Sequence, residues 1–405
     1  MQGLHHRHGC LPIVASITRV LSLMKVVSAF HSTKNTTVVA GFPAVVSSNR
    51  CSDLDLSGFA NAMNCGPPLS APCFDFNRCR DGHTVYVYDA ECSLDDSKDI
   101  GSGGESQGLA GTLRAAARKA GVLADTYDSA CFFIHAEGRV QATPPCATDA
   151  PLWNEGRNHV MFDISDPARD RRTGYSGSYA MEAATSQHSC YDRTGYDISI
   201  GHYPKAVFDE LQSAAPQNRR YFITFRGTLY LGVMRGSEER ASVMQLHDDA
   251  SGVVVVAKCG DFIMKNWPEY AERCAQLVPG YDAYDFQALM NATFGLLPAG
   301  GSPGTHRLAE ASTQTAGCIP VFVARDYVKP FTEQVDWSAF SFTFSPDEVP
   351  DMIRTLRSVP PEELQEMQQK SLEAYRKIYN GYTSYSWIAG LLIDILVQRI
   401  GHREA

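Results

Sequence analysis

Short runs of β-branched and aromatic residues recur along the chain. They lie at Thr84–Tyr88, Cys131–His135, His159–Ile164, Tyr221–Phe225, Val253–Ala257, Thr293–Leu297, Ile319–Val323 and Phe340–Phe344. Runs of this length, bounded by turn formers, predict buried strands. Helical spacing of apolar residues appears between several of them, at Leu109–Ala120, Pro204–Ser213, Ser237–Asp248, Tyr284–Asn291 and Thr305–Ala316. Strands alternating with helices predict an α/β fold whose parallel sheets are covered on both faces. Eight or more such strands suit two doubly wound domains better than one. No even eightfold spacing argues for a barrel. Toward the end, Leu364, Met367, Leu372, Tyr375 and Ile378 lay down one apolar helix face. Trp387 to Ile400 is a second apolar stretch, interrupted by Asp394 and Arg399. It is too short and too charged for a membrane span and reads as a packed terminal helix.

The first 70 residues lack sustained periodicity and carry turn formers such as Asn64-Cys-Gly-Pro-Pro. No Asp or Glu precedes Asp53, whereas Arg7, Arg19, Lys25, Lys34 and Arg50 do. Leu11 to Phe30 is apolar but broken by Arg19 and Lys25. A signal-anchor, a cleaved targeting peptide and a soluble tail all fit this pattern.

Composition narrows the function classes. The 405 residues are 44% hydrophobic and 20% charged, an ordinary globular balance. The net charge of -9 disfavours a nucleic-acid binder. Twelve cysteines occur without a CxxC pair, which argues against a zinc ribbon or a thioredoxin-like site. Asn35 and Asn291 each begin an N-glycosylation triplet. With an even cysteine count, they tilt toward a secretory compartment.

The stretch from Asn291 to Asp336 carries most of the chemistry. A strand ending at Leu297 runs into the loop Pro298–Gly304, which holds three glycines and two prolines. A helix from about Thr305 should end at Gly317, where glycine suits a left-handed cap. A glycine-rich loop between strand and helix is an anion cradle, with Gly300 and Gly304 allowing close backbone approach. Arg307 and Glu310 are three residues apart, on one helix face. An arginine for phosphate and a carboxylate for ribose hydroxyls make a coherent nucleotide-sugar site. The plainer alternative is an ion pair on a solvated face. The loop is neither GxGxxG nor a Walker loop, which weakens dinucleotide and ATP readings.

Several motifs in this chain resemble the exostosin family of glycosyltransferases. They are Cys73-Phe-Asp-Phe-Asn-Arg-Cys79, Val85-Tyr-Val-Tyr, Leu152-Trp-Asn-Glu-Gly-Arg-Asn-His, Tyr196-Asp-Ile-Ser-Ile, Phe225-Arg-Gly, Asn291-Ala-Thr-Phe, Arg307-Leu-Ala-Glu-Ala, Gly317-Cys-Ile-Pro-Val and Val335-Asp-Trp-Ser. The resemblance covers roughly residues 73 to 400. It implies the GT-B arrangement of two facing Rossmann-like domains with C-terminal helices. The expected layout is an anchor and stem segment over 1–70, an acceptor-side domain over 71–215, a nucleotide-sugar domain over 216–345, and helices over 346–405. The resemblance further implies inverting transfer from a nucleotide sugar, UDP-linked, to a glycan acceptor, with no essential metal. It implies a Golgi or endoplasmic-reticulum membrane location with a lumenal catalytic domain. Arg240, Arg307 and Glu310 match donor-contacting positions, with Arg226 a further candidate. Cys259 with Cys274, and Cys73 with Cys79, resemble family disulfide pairs. Ala299 and Gly301 stand where the animal heparan-sulfate polymerases are basic, and their second transferase domain is not expected here.

Inverting transfer requires charge stabilisation on the departing diphosphate and a base for the acceptor hydroxyl. The base should stand near the carboxyl end of a first-domain strand. Asp163 is the nominal choice, with His159 and Asp197 as the others. Asp53-Leu-Asp55 formally matches a metal-sugar motif of another fold, but it lies in the stem, so no catalytic metal is expected. The competing readings are a silent subunit that stabilises another glycosyltransferase, as a homo- or hetero-oligomer, and a carbohydrate-binding module.

Overall fold

The structure, a computed structural model, describes residues 65–66, 69, 72–88, 108–137, 153–163, 178–185, 187–190, 192–202, 204, 206–230, 236–266, 268–270, 280–300, 315–379 and 386–401. They form two five-stranded parallel sheets. The α/β class and the two parallel sheets expected from the sequence are what the chain adopts.

The first sheet contains β1 (Val85–Val87), β2 (Phe132–Glu137), β3 (His159–Asp163), β4 (Met181–Thr185) and β5 (Ile198–Ile200), paired in chain order. Helix α1 (Leu109–Lys119) lies between β1 and β2 in the chain and buries Leu113 and Ala117 in a core shared with Val85, Val87, Phe132 and Ile134. The parallel sheet expected for the first half is what its described strands form. The sequence pattern missed β4 and β5. One is alanine-rich (Met-Glu-Ala-Ala-Thr) and the other has three residues, so neither makes a β-branched run.

The second sheet contains β6 (Tyr221–Leu229), β7 (Val253–Cys259), β8 (Ala292–Pro298), β9 (Ile319–Val323) and β10 (Phe342–Phe344), in the order β10-β9-β8-β6-β7. The chain steps from β6 to β7, then crosses to the other side of β6 to begin β8. Strand order therefore reverses between β6 and β8. Helix α2 (Ser237–Met244) links β6 to β7. The helix predicted over Pro204–Ser213 shrinks to one turn, Asp209–Gln212, because Phe208 leaves helical geometry and is buried in a second apolar cluster with Val254 and Ala292.

Three terminal helices finish the chain: α3 (Val349–Arg357), α4 (Pro361–Tyr379) and α5 (Ser386–Gly401). Helix α4 opens with Pro361, Glu362 and Glu363 and ends with Arg376 and Lys377, which matches its dipole. The five apolar residues singled out on its face are all buried, and it packs against β9. Helix α5 returns to the first half and packs on α1. Among the described residues no helix is long and apolar enough to cross a membrane, and residues 11–30 lie outside them.

The cysteine pairing expected from the resemblance needs correcting. Cys73 bonds Cys65, and Cys79 bonds Cys131. The 3-10 turn Phe76–Cys79 separates the two thiols and delivers Cys79 to the residue that precedes β2. Cys65 is buried, so packing begins inside the segment read as stem. Cys259 is disulfide-bonded, while Cys274 lies outside the described residues. Non-reducing peptide mapping should recover Cys79 linked to Cys131. Cys131→Ala should cost about 2–4 kcal/mol, because that bridge closes a long loop. A Cys73–Cys79 peptide would contradict the structure.

Candidate functional site

Ligands of open parallel sheets bind beyond the carboxyl ends of the strands where strand order reverses. Here that point lies past Leu229 of β6 and Pro298 of β8. Gly236 introduces α2 there with φ 71°. A Cβ on Gly236 would stand 2.3 Å from the Gly300 carbonyl oxygen and 2.4 Å from that of Ala299. Only glycine fits, so the start of α2 lies directly on the Ala299–Gly300 backbone. Beneath it, Arg240 is 1% exposed. Its Nε donates to the Ala299 carbonyl (2.9 Å) and its Nη1 to that of Thr228 (2.5 Å). The guanidinium also stacks over the Tyr230 ring at 4.5 Å. One side chain thereby ties the ends of β6 and β8 to α2 and shapes the crevice between them.

The first half meets the second through the segment after β4, which pairs with the segment after β9. Residues 187–189 run antiparallel to 326–328: the Ser189 N–H donates to the Asp326 carbonyl (2.9 Å) and the Val328 N–H to that of Gln187 (3.0 Å). His188 is buried, and its Nδ1 accepts the Cys190 N–H at 3.1 Å. The neutral ring therefore carries its proton on Nε2, which stands 3.8 Å from Asp326 Oδ2. His188, Cys190 and Asp326 have metal-ligand spacing. Cys190 is disulfide-bonded, so its sulfur is no thiolate and the trio supplies only two donors.

Just beyond β9, Arg325 pairs with Glu238 in the first turn of α2 (3.3 Å) and with Asp347 (3.2 Å). Glu239 is buried beside them. Burial first, then the Glu238 charge, pushes its carboxyl up, against the pull of its own backbone N–H and of Arg325. Between the halves lies a cavity of about 870 Å³, lined by the 189–199 segment, the 322–338 segment and Thr343. Asp192 stands on its wall. Burial, and next the charge of Asp197, raise its carboxyl to about 6.

The residues nominated from sequence scatter over this frame. Gly300 and Arg240 come together at the crevice. Arg226 does not. Strand alternation turns it to the face opposite Phe225, where its guanidinium lies 3.9 Å from the Tyr281 ring. Gly304, Arg307 and Glu310 lie outside the described residues, as does Asn35. Gly317 takes the expected left-handed conformation, with φ 67°. Asn291 is half-buried ahead of β8, its Oδ1 accepting the Arg220 N–H.

Two of the three nominated bases are already committed. His159 is fully buried at the amino end of β3, away from the carboxyl edge. Its Nδ1 lies 2.8 Å from His135 Nε2, and it stacks on Phe133. Burial first, then His159, holds the His135 imidazole well below its usual value. Asp197 is 4% exposed and receives four hydrogen bonds: the Glu182 N–H, the Arg193 N–H, and Arg193 Nε and Nη2. That carboxylate has no capacity left for a substrate. Asp163 does end β3, as expected.

Sequence reasoning missed Glu239, Arg325 and Asp326. Arg325 and Asp326 follow a predicted strand at its carboxyl end and Glu239 lies in the first turn of a predicted helix, and those positions were the available signal. His188 and Asp192 gave no signal, because β4 was not recognised.

Comparison with known proteins finds relatives of one family. Drosophila melanogaster Exostosin-1 is 28% identical over 80% of this chain and 45% of its own length. Danio rerio Exostosin-1c is 30% identical over 66% of this chain and 37% of its own. The chain thus spans about half or less of these relatives, but 89% of the Caenorhabditis elegans Exostosin-1 homolog, at 24% identity. A glycosyltransferase structure from Rickettsia africae covers 74% of this chain and 84% of its own, at 11% identity and a TM-score of 0.35, too loose a superposition to argue from. The Exostosin GT47 domain model matches residues 80–359, which takes in every strand of both sheets and the crevice between β6 and β8. The chain belongs to the exostosin GT47 family of glycosyltransferases.

Proposed function

We propose that this chain transfers a sugar from a UDP-sugar to a glycan acceptor, with inversion at the anomeric carbon. The observation that carries the reading is the crevice where strand order reverses, clamped by Arg240 and closed by the Gly236–Gly300 contact. The donor diphosphate would lie there against backbone N–H groups at the start of α2 and in the loop after β8, with Arg307 neutralising its charge and Glu310 meeting the ribose. Arg240 acts by holding the crevice in shape, its Nε and Nη1 being turned to carbonyls. The acceptor would approach from the first half. No catalytic metal takes part in this scheme. Disulfides at Cys65–Cys73 and Cys79–Cys131 support an oxidising compartment, the Golgi or endoplasmic-reticulum lumen.

The test is nucleotide release by the purified full chain from a panel of UDP- and GDP-sugars, with titration of free UDP in parallel. Sugar-dependent UDP release identifies the donor. Folded protein that neither binds UDP nor releases it would move the weight to a silent partner of another transferase.

A further inference from the structure

The cavity between the halves carries an inference that rests on the transferase reading. Four carboxylates line it: Asp192, Asp197, Glu333 and Asp336. Three are committed. Asp197 is saturated by Arg193 and backbone N–H groups. Glu333 receives Arg399 through Nε and Nη2. Asp336 accepts the Ser338 N–H and hydroxyl and caps the turn Trp337–Ala339. Among the described residues, the hydrogen-bond partners of the Asp192 carboxylate are neutral donors, the Thr194 hydroxyl at 3.0 Å and the Gln187 side chain. Of the four it is the half-buried carboxylate that neither pairs with an arginine nor caps a turn.

Its place in the fold is also suitable. The Asp192 N–H closes a turn onto the His188 carbonyl (3.0 Å), and His188 abuts Asp326 at the carboxyl end of β9. The same cavity is lined by Ala324 and Arg325, and Arg325 pairs with Glu238 at the start of α2, beside the donor crevice. Its volume of about 870 Å³ lies within the range of small-molecule sites.

We propose that the glycan acceptor sits in this cavity and that Asp192 is the general base for its reacting hydroxyl. The hydroxyl oxygen forms the new bond to the anomeric carbon as the bond to the diphosphate breaks. The bonding pair leaves with the nucleoside diphosphate, and the proton passes to the Asp192 carboxylate. Asp197 and Glu182 face Asp192 from its own half, and Arg325, Lys329, Glu333 and Asp336 line the rest of the cavity. Burial and then the Asp197 charge raise the carboxyl to about 6, so the base is competent above that pH and lost below it.

The experiment uses the full chain, the UDP-sugar active in the panel and an oligosaccharide library as acceptor. Wild type, Asp192→Asn and Asp163→Asn are compared for kcat, donor KM, UDP affinity and pH profile. Asp192→Asn should lower kcat by about 10²–10⁴-fold, remove the acid limb near pH 6 and leave UDP affinity unchanged. Asp192→Glu should keep the acid limb at reduced kcat, a recovery that a merely structural role would not produce. A kcat for Asp192→Asn within about threefold of wild type, acid limb retained, overturns the assignment. So does loss confined to Asp163→Asn. Wild type that transfers no sugar at all overturns the transferase reading itself, and that result is read before any variant is made.

Discussion

Replacing Arg240 with alanine is expected to abolish nucleotide binding and to lower stability together. The truncation leaves the Thr228 and Ala299 carbonyls without their donor in a buried site. Each unsatisfied group costs about 1–3 kcal/mol. The contact with the Tyr230 ring, 4.5 Å from the guanidinium, is lost as well. Because those carbonyls mark the ends of β6 and β8, the damage falls on the walls of the crevice. UDP affinity should therefore drop by well over tenfold, about 1.4 kcal/mol per decade. Arg240→Lys should recover little, since an ammonium cannot span both carbonyls as the planar fork does. Thermal melting and UDP titration read the two effects separately. A folded Arg240→Ala chain with wild-type UDP affinity would remove this crevice as the donor site.

Asp197→Ala should be the most destabilising single change in the first half. Asp197 and Arg193 form a buried ion pair at 2.6 Å, and Arg193 Nη2 also donates to the Ala180 carbonyl. Removing one partner strands the other charge in the interior, at about 3–5 kcal/mol. The effect should spread, because Arg399 of α5 donates to the Tyr196 and Asp197 carbonyls and reaches Glu333 from the same turn. The double variant Arg193→Ala/Asp197→Ala should be no less stable than the single one, since it leaves no unpaired charge. Denaturant unfolding of the full set tests this. UDP affinity measured on the folded fraction should stay near wild type, because the crevice proposed for the donor belongs to the second sheet. A loss below about 1 kcal/mol for Asp197→Ala would mean that the pair is solvated.

The strands with β-branched or aromatic runs were legible in the sequence. β6 to β9 appear where those runs predicted them, with every residue of β8 and β9 buried. The apolar face of α4 and the cap at Gly317 were equally legible, because periodicity and φ preference are local properties. The same locality explains the misses. Ala183 and Ala184 carry no strand signal by themselves, and they are buried because β3 and β5 flank them. With β4 unread, the turn after it and its His188 and Asp192 stayed invisible. Asp197 and His159 looked free as letters and proved committed, to Arg193 and His135, by contacts that only folding makes. Likewise Cys79 found Cys131 rather than Cys73, a partner 52 residues away that sheet geometry delivers. By itself, then, the sequence determined the α/β class and the family, both set by local pattern and motif order. Tertiary structure alone decided which polar side chains are spent on holding the fold and which still face a cavity, because hydrogen-bond saturation depends on neighbours brought together from distant parts of the chain.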